Sequence, residues 1–257
     1  MSFSYLVILF SVYSFIGWAM ETLYCSIMSQ KFVYRGFLIG PACPIYGFGA
    51  LGVIFILSPF EKHPELVFLF GIILTSVLEY VVSIILEKLF KKSWWDYSDR
   101  KFNVNGRICL MNSALWGLLS LFLIYVAHPF LSKLLVLVPL QTAAFAAGLF
   151  TLLFAGDLIL SVRNTLDFNR EMAKISEITD RIERKRDEIK GTIEAFRDEQ
   201  KEKLEFELAA LLELQEESLA QFFRRMRRIL SAFPHMRLQR RDKLSLRDRL
   251  LSYRWKK

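Results

Sequence analysis

The first 160 or so residues alternate long apolar runs with short charged hinges. A soluble core does not need apolar runs of this length, whereas roughly 20 such residues carry a helix across the ~30 Å hydrocarbon layer of a bilayer. Lipid leaves no partner for free backbone, so such runs must be helical. Five spans are expected, at residues 3–28, 36–57, 66–90, 108–127 and 134–162. The fold class is therefore all-α: a polytopic membrane protein with about five transmembrane helices in residues 1–165 and a long cytoplasmic helical tail. The first run is too long for a signal-peptide core and no basic region precedes it, so it is expected to stay as a helix. Glu21, Glu79 and Asp157 fall inside these runs or at their edges. A carboxylate at that depth costs about 2–3 kcal/mol or more, which makes each a candidate for function.

Charge fixes the expected orientation. The hinge after the first run carries Lys31 and Arg35, and the hinge after the third carries Lys88, Lys91, Lys92, Arg100, Lys101 and Arg107. The other two hinges carry Lys62 and Lys133. Basic residues concentrate on the cytoplasmic side of membrane proteins. The expected location is the cell membrane, with multiple passes, the N-terminus outside and the C-terminus in the cytoplasm. The net charge of +8 has this explanation before any other, and no nucleic-acid-binding motif is present. Trp94, Trp95 and Tyr97 suit an aromatic belt at the inner face. Cys25, Cys43 and Cys109 form no CxxC pair and read as small buried apolar residues.

The second run is irregular: Arg35-Gly-Phe-Leu-Ile-Gly-Pro-Ala-Cys-Pro-Ile-Tyr-Gly-Phe-Gly-Ala50. Pro41 and Pro44 would break a helix by removing donors and clashing with the preceding turn. The freed backbone must be covered by neighbouring helices or line a polar cavity, as in the broken helices of transporter binding sites. A short re-entrant segment with a packing role is the other reading, and Gly47, Gly49 and Gly52 could simply let helices approach. Two polar stripes accompany this break. Glu79, Ser83 and Glu87 share one helical face, and Ser14, Trp18, Glu21 and Cys25 share another. They are expected to face each other or a cavity, with Arg35 and Arg107 as basic partners. The candidate intramembrane polar site is thus Glu21, Arg35, Pro41, Pro44, Tyr46, Glu79, Ser83, Glu87 and Arg107. Ordinary interfacial ion pairs are the plainer reading for Glu21 and Glu87.

The third hinge, Lys92 to Cys109, is rich in aromatic residues, Asn, Asp and Gly, as an ordered loop would be. Trp94, Trp95, Asp96, Tyr97, Asn103 and Asn105 form a second candidate site. Asp96, Asp99, Asn103 and Asn105 could meet a cation or a polar headgroup. Their spacing lacks the alternation and final Glu of a calcium loop, so no metal is expected.

Several of these stretches are similar to a bacterial membrane family, the putative ABC-transporter type IV proteins. Phe15-Ile-Gly-Trp18 with Glu21, the Arg35–Gly49 segment, Leu78-Glu-Tyr-Val-Val-Ser83, Leu86-Glu-Lys-Leu-Phe90, Trp94-Trp-Asp-Tyr-Ser98 and Asn105-Gly-Arg-Ile-Cys-Leu110 carry the resemblance. It covers about residues 3–165 and stops before the tail. It implies a permease-like role and brings no catalytic residues.

Beyond the fifth run, Ile175, Ile182, Ile189 and Phe196 recur every seven residues amid charged positions, and Leu204, Leu208, Leu211, Leu219 and Phe222 continue the stripe. Residues 166–230 therefore read as a helical coiled coil with a discontinuity near 197–203. Pairing with another copy would bury the stripe. A hairpin folding back on itself is the alternative. Residues 231–257 form a basic tail, and Arg224-Arg-Met-Arg-Arg228 beside Phe222 and Phe223 suits an anionic lipid surface.

Three functions fit. The first is a transporter or permease component with a polar site between helices. No GxxxxGK[ST] loop occurs, so ATP hydrolysis would fall to a separate ATPase subunit. The second is a non-transporting scaffold or regulator that presents the coiled coil to a partner. The third, a lipid-modifying enzyme, lacks a catalytic constellation, since His63, His128 and His235 are scattered; no enzyme activity or cofactor is expected. The orientation can be checked with cysteines placed at Ser2 and Ser98 in a chain without its native three. In intact cells an impermeant thiol reagent should label the first alone; labelling of the second would contradict it.

Overall fold

The computed structural model describes residues 2–194, 198–233 and 236, and the side chains of all of these except 190–201. It is 81% helical, in agreement with the all-α class, and the described strands are two-residue pieces. Helix α1 spans Phe3–Ser29, α2 Pro44–Leu57 and α3 Pro64–Phe90. A ribbon of β1 (Asn103–Val104) and β2 (Ile108–Cys109) precedes α4, Leu110–Phe122. A π-helical turn, Leu123–Ala127, joins α4 to α5, His128–Val136; α6 then runs Leu140–Glu194 and α7 Asp198–Ala232.

Among the described residues, four helical stretches are long and apolar enough to cross a bilayer: Phe3–Ser29, Pro64–Phe90, Leu110–Val136 and the apolar part of α6. The expected second span is helical only from Pro44. Gly36 adopts a positive φ of 103°, and the segment up to Cys43 is unwound. The π turn corrects the expected fourth and fifth spans. His128 N–H reaches back to Leu123 O, so the helix passes the missing donor of Pro129 without ending. The expected fourth span therefore continues to Val136, Lys133 lies in its last turn, and the stretch expected as the fifth starts at Leu140.

In the bundle α1 packs on α2 and α6, while α3 packs on α2 and α4. Small residues set the close contacts. A Cβ at Gly17 would fall 2.1 Å from Tyr46 Cγ, and one at Gly47 would fall 2.3 Å from Ser14 Oγ. A Cβ at Gly71 would fall 2.7 Å from Ser120 Cβ, and Ser76 donates to Ser113 at 2.7 Å. Without a hydrophobic force between helices in lipid, close backbone approach and such hydrogen bonds hold them together. At one end of the bundle the Tyr5 hydroxyl donates to Val138 O. At the other end the two long hinges meet the start of the tail, where Asn169 donates to Phe90 O.

The tail is a hairpin. Antiparallel α6 and α7 are joined by Lys185–Glu207 at 2.8 Å, Gln215–Thr179 at 2.8 Å and Arg225–Glu171 at 3.5 Å. The stripe of Phe168, Ile175 and Ile182 is buried together with Leu219, Phe222 and Met226 on the returning helix, and the Phe168 and Phe222 rings meet edge-on at 5.0 Å. The stripe is thus covered within the chain, and burial no longer calls for a second copy. Phe196, the last of the seven-residue positions, the first residue of the expected discontinuity at 197–203, and nearly all of the basic stretch 231–257 lie outside the described residues.

The hairpin's base rests on Phe90 and Trp94. Lys92 is buried there at 2% exposure, its Nζ lying 3.4 Å from the Phe168 ring centroid with no hydrogen-bond partner among the described residues. Burial pushes this ammonium down to about 7 from 10.5. Between those values the folded junction binds fewer protons than the unfolded chain, so its stability rises with pH through that window. Lys92→Met is expected to raise the melting temperature in detergent by several degrees at pH 6, with a smaller gain at pH 9. No gain at pH 6 would contradict this account.

Candidate functional site

Both long hinges fold back into the bundle. Cys43 N–H donates to Ser14 O at 2.9 Å, and Ser14 lies about 22 Å along α1 from its end at Ser29. The first hinge therefore climbs along α1, and several of its backbone donors find partners on the way. Val33 N–H bonds Ser26 Oγ, and Arg35 N–H bonds Thr22 Oγ1. Ile39 and Gly40 N–H each donate at 2.8 Å to one oxygen of the Asp157 carboxylate. Ser161 also donates to Asp157. Asp157 thus holds the unwound segment in place. A Cβ at Gly40 would fall 2.8 Å from Asp157 Oδ2, so the glycine leaves room for this contact.

The second hinge runs along α3. Tyr97 Oη donates to Glu79 Oε1 at 3.2 Å, and Asn105 Nδ2 donates to Tyr80 Oη at 2.8 Å. Arg107 pairs with Glu87 at 2.6 Å and stacks over the Tyr80 ring. Trp95 Nε1 donates to Arg107 O. The loop is held by its own polar groups: Asp96 accepts from Ser98 N–H and Oγ, Asn103 donates to Arg100 O, and Gly106 N–H donates to Asn103 Oδ1. Phe102, Asn105 and Gly106 at positive φ make its tight turns. Trp94 is 4% exposed and packs on Phe37 and Phe90. Trp94 and Tyr97 therefore turn into the protein and do not form the expected interfacial belt. Among the described residues no metal-ligand cluster occurs.

Between the hinges lies a polar seam. Glu21 Oε1 takes two hydrogen bonds from Arg35, at 2.7 and 3.1 Å, and Cys43 Sγ lies 3.8 Å from Glu21 Oε2. Tyr46 fits against Gly17, contacts the Trp116 ring at 5.2 Å, and is within electrostatic reach of Glu21 and Tyr97. Pro44 is in the first turn of α2 and sets its start, while Pro41 belongs to the unwound segment. Ser83 is buried one turn from Glu79. The candidate residues thus form two groups, Glu21–Arg35 and Glu79–Tyr97, with Glu87–Arg107 on the α3 stripe beside the second.

The carboxylates differ in their partners. Glu21 and Glu87 each have an arginine. Glu79 is 7% exposed, its hydrogen-bonding neighbours are the neutral donors Tyr97 and Trp116, and no cation pairs with it among the described residues. Burial first, and then Glu79, hold the Tyr97 hydroxyl protonated far above its ordinary range, so it meets Glu79 as a neutral donor. The sequence offered no signal for Cys43 or Trp116: one is a lone thiol in a proline-rich stretch, the other a single aromatic in an apolar run.

A multi-pass helical membrane protein with a buried polar seam between two re-entrant hinges is the class these features define. Residues 8–162, more than half of the chain, match the family described as putative ABC-transporter type IV, and the chain belongs to that family. The match takes in every seam residue and ends before the hairpin. No curated protein and no solved structure matches the chain.

Proposed function

We propose that the chain is the membrane-embedded component of a transport system, and that the seam between the two hinges is its solute or ion path. The observation that supports this most is Glu79. A carboxylate kept only for structure would be expected to carry a cationic partner, as Glu21 and Glu87 do. One without a counter-charge costs about 2–3 kcal/mol or more at this depth. Such a group suits a role in which it takes and gives up a proton or a cation. Tyr97 would steady its charged form by donating to Oε1, and Tyr46 and Trp116 would line the path. The family description supports a transport role, and with no nucleotide-binding loop in the sequence, hydrolysis would come from a separate ATPase. The inner face would be the end that gathers the eight hinge bases and the hairpin.

The unbroken run of α6 from the bundle into the hairpin favours a second reading, a membrane scaffold or regulator with a cytoplasmic partner. Affinity purification from membranes separates the two: an ATPase is expected with the chain, whereas recovery of non-ATPase proteins through the hairpin alone would favour the scaffold.

Glu79→Gln keeps size and polarity but removes charge and proton exchange. It is expected to leave insertion and the melting temperature in detergent unchanged or slightly higher, yet to fail to restore the phenotype of cells lacking the chain. Glu21→Gln should instead lower stability, by about 1–3 kcal/mol at most for a partly exposed pair, because Arg35 loses its acid. Full complementation by Glu79→Gln would remove that carboxylate from the function.

A further inference from the structure

The end of α7 grips the first re-entrant hinge. Arg228 Nη1 donates to Leu38 O at 2.8 Å and its Nη2 to Phe37 O at 3.2 Å. These carbonyls immediately precede the two amides held by Asp157, so the unwound segment is fastened on one side by α6 and on the other by the tail. Arg35, the partner of Glu21, also donates to Ala232 O and lies 5.3 Å from the Phe233 ring centroid. Phe233 in turn meets the Trp94 ring edge-on at 4.8 Å. An unbroken set of contacts thus leads from the hairpin's end, through Arg35 and Glu21, to Cys43 in the seam.

We infer that the hairpin is a latch: its docked end keeps the first hinge folded into the bundle and the Glu21–Arg35 pair closed, and its release opens the inner end of the seam. One further observation supports a movable part over a fixed one. The docked junction buries two donors without hydrogen-bond partners among the described residues, Lys92 Nζ and Trp94 Nε1. Unsatisfied buried donors make a junction costly to hold and mark it as a place that opens first. The latch serves the path proposed above, but its test does not depend on transport.

Cys43 is the natural reporter, being 4% exposed and next to Glu21. In the full-length protein with Cys25 and Cys109 changed to Ser, it should react slowly with a small maleimide in detergent. Arg228→Ala and Phe233→Ala should each speed the reaction roughly tenfold or more, as expected when a charge-assisted hydrogen bond or an aromatic anchor is lost. If either variant elutes differently from the parent, Arg228→Lys and Phe233→Leu are read by the same criterion. Equal rates in parent and variants, whether slow or fast, overturn the latch and leave the Glu79 result standing. Full complementation by Glu79→Gln would sink the transport reading and leave this rate difference intact.

Discussion

Backbone that leaves a helix inside a bilayer must find its hydrogen bonds in the protein, and this requirement organises the bundle. Each unmet group costs several kcal/mol in lipid, more than most side-chain contacts return. Between Gly36 and Cys43 the chain is unwound. Ile39 and Gly40 are satisfied by Asp157, and Cys43 by the carbonyl of Ser14. The close packing of α1 and α2 at Gly17 and Gly47 follows from the same segment, because it lets Tyr46 enter beside Trp116. The polar seam exists because the chain ahead of α2 stays unwound up to Cys43.

The three seam carboxylates show how neighbours decide a role. Glu21 and Glu87 are each within 2.7 Å of a guanidinium, and such pairs are explained by structure alone. Glu79 meets only neutral donors among the described residues. The proposal of a transport path rests on that asymmetry, and on a family membership whose description points the same way.

Much of the bundle was legible in the sequence, because apolar length and hinge charge are strong signals. Arg35 and Arg107 were readable as basic partners for the two polar stripes, but which carboxylate each would meet was not: the structure gives them to Glu21 and Glu87. The unwound start of the second span could be read from Pro41 and Pro44. Asp157, singled out for its depth, holds backbone amides in the structure, a role set by tertiary contact and not by spacing. The π turn before Pro129 was not legible, since one inserted residue leaves no trace in an apolar run. The tail's heptads could not say whether their partner was another copy or the returning helix, because both bury the same stripe. Trp94 and Tyr97 were assigned to the interface by residue type, whereas the fold-back of their hinge carries them inward.

Amide hydrogen exchange at Ile39 and Gly40, in the full-length protein held in lipid nanodiscs, tests the account at its base. The fastened segment should exchange at rates close to those of the flanking helices α1 and α2, and Asp157→Asn should accelerate it strongly while those helices stay protected. Fast exchange in the unaltered protein, or no change on removing the Asp157 charge, would contradict the claim that this carboxylate holds the broken span inside the bundle.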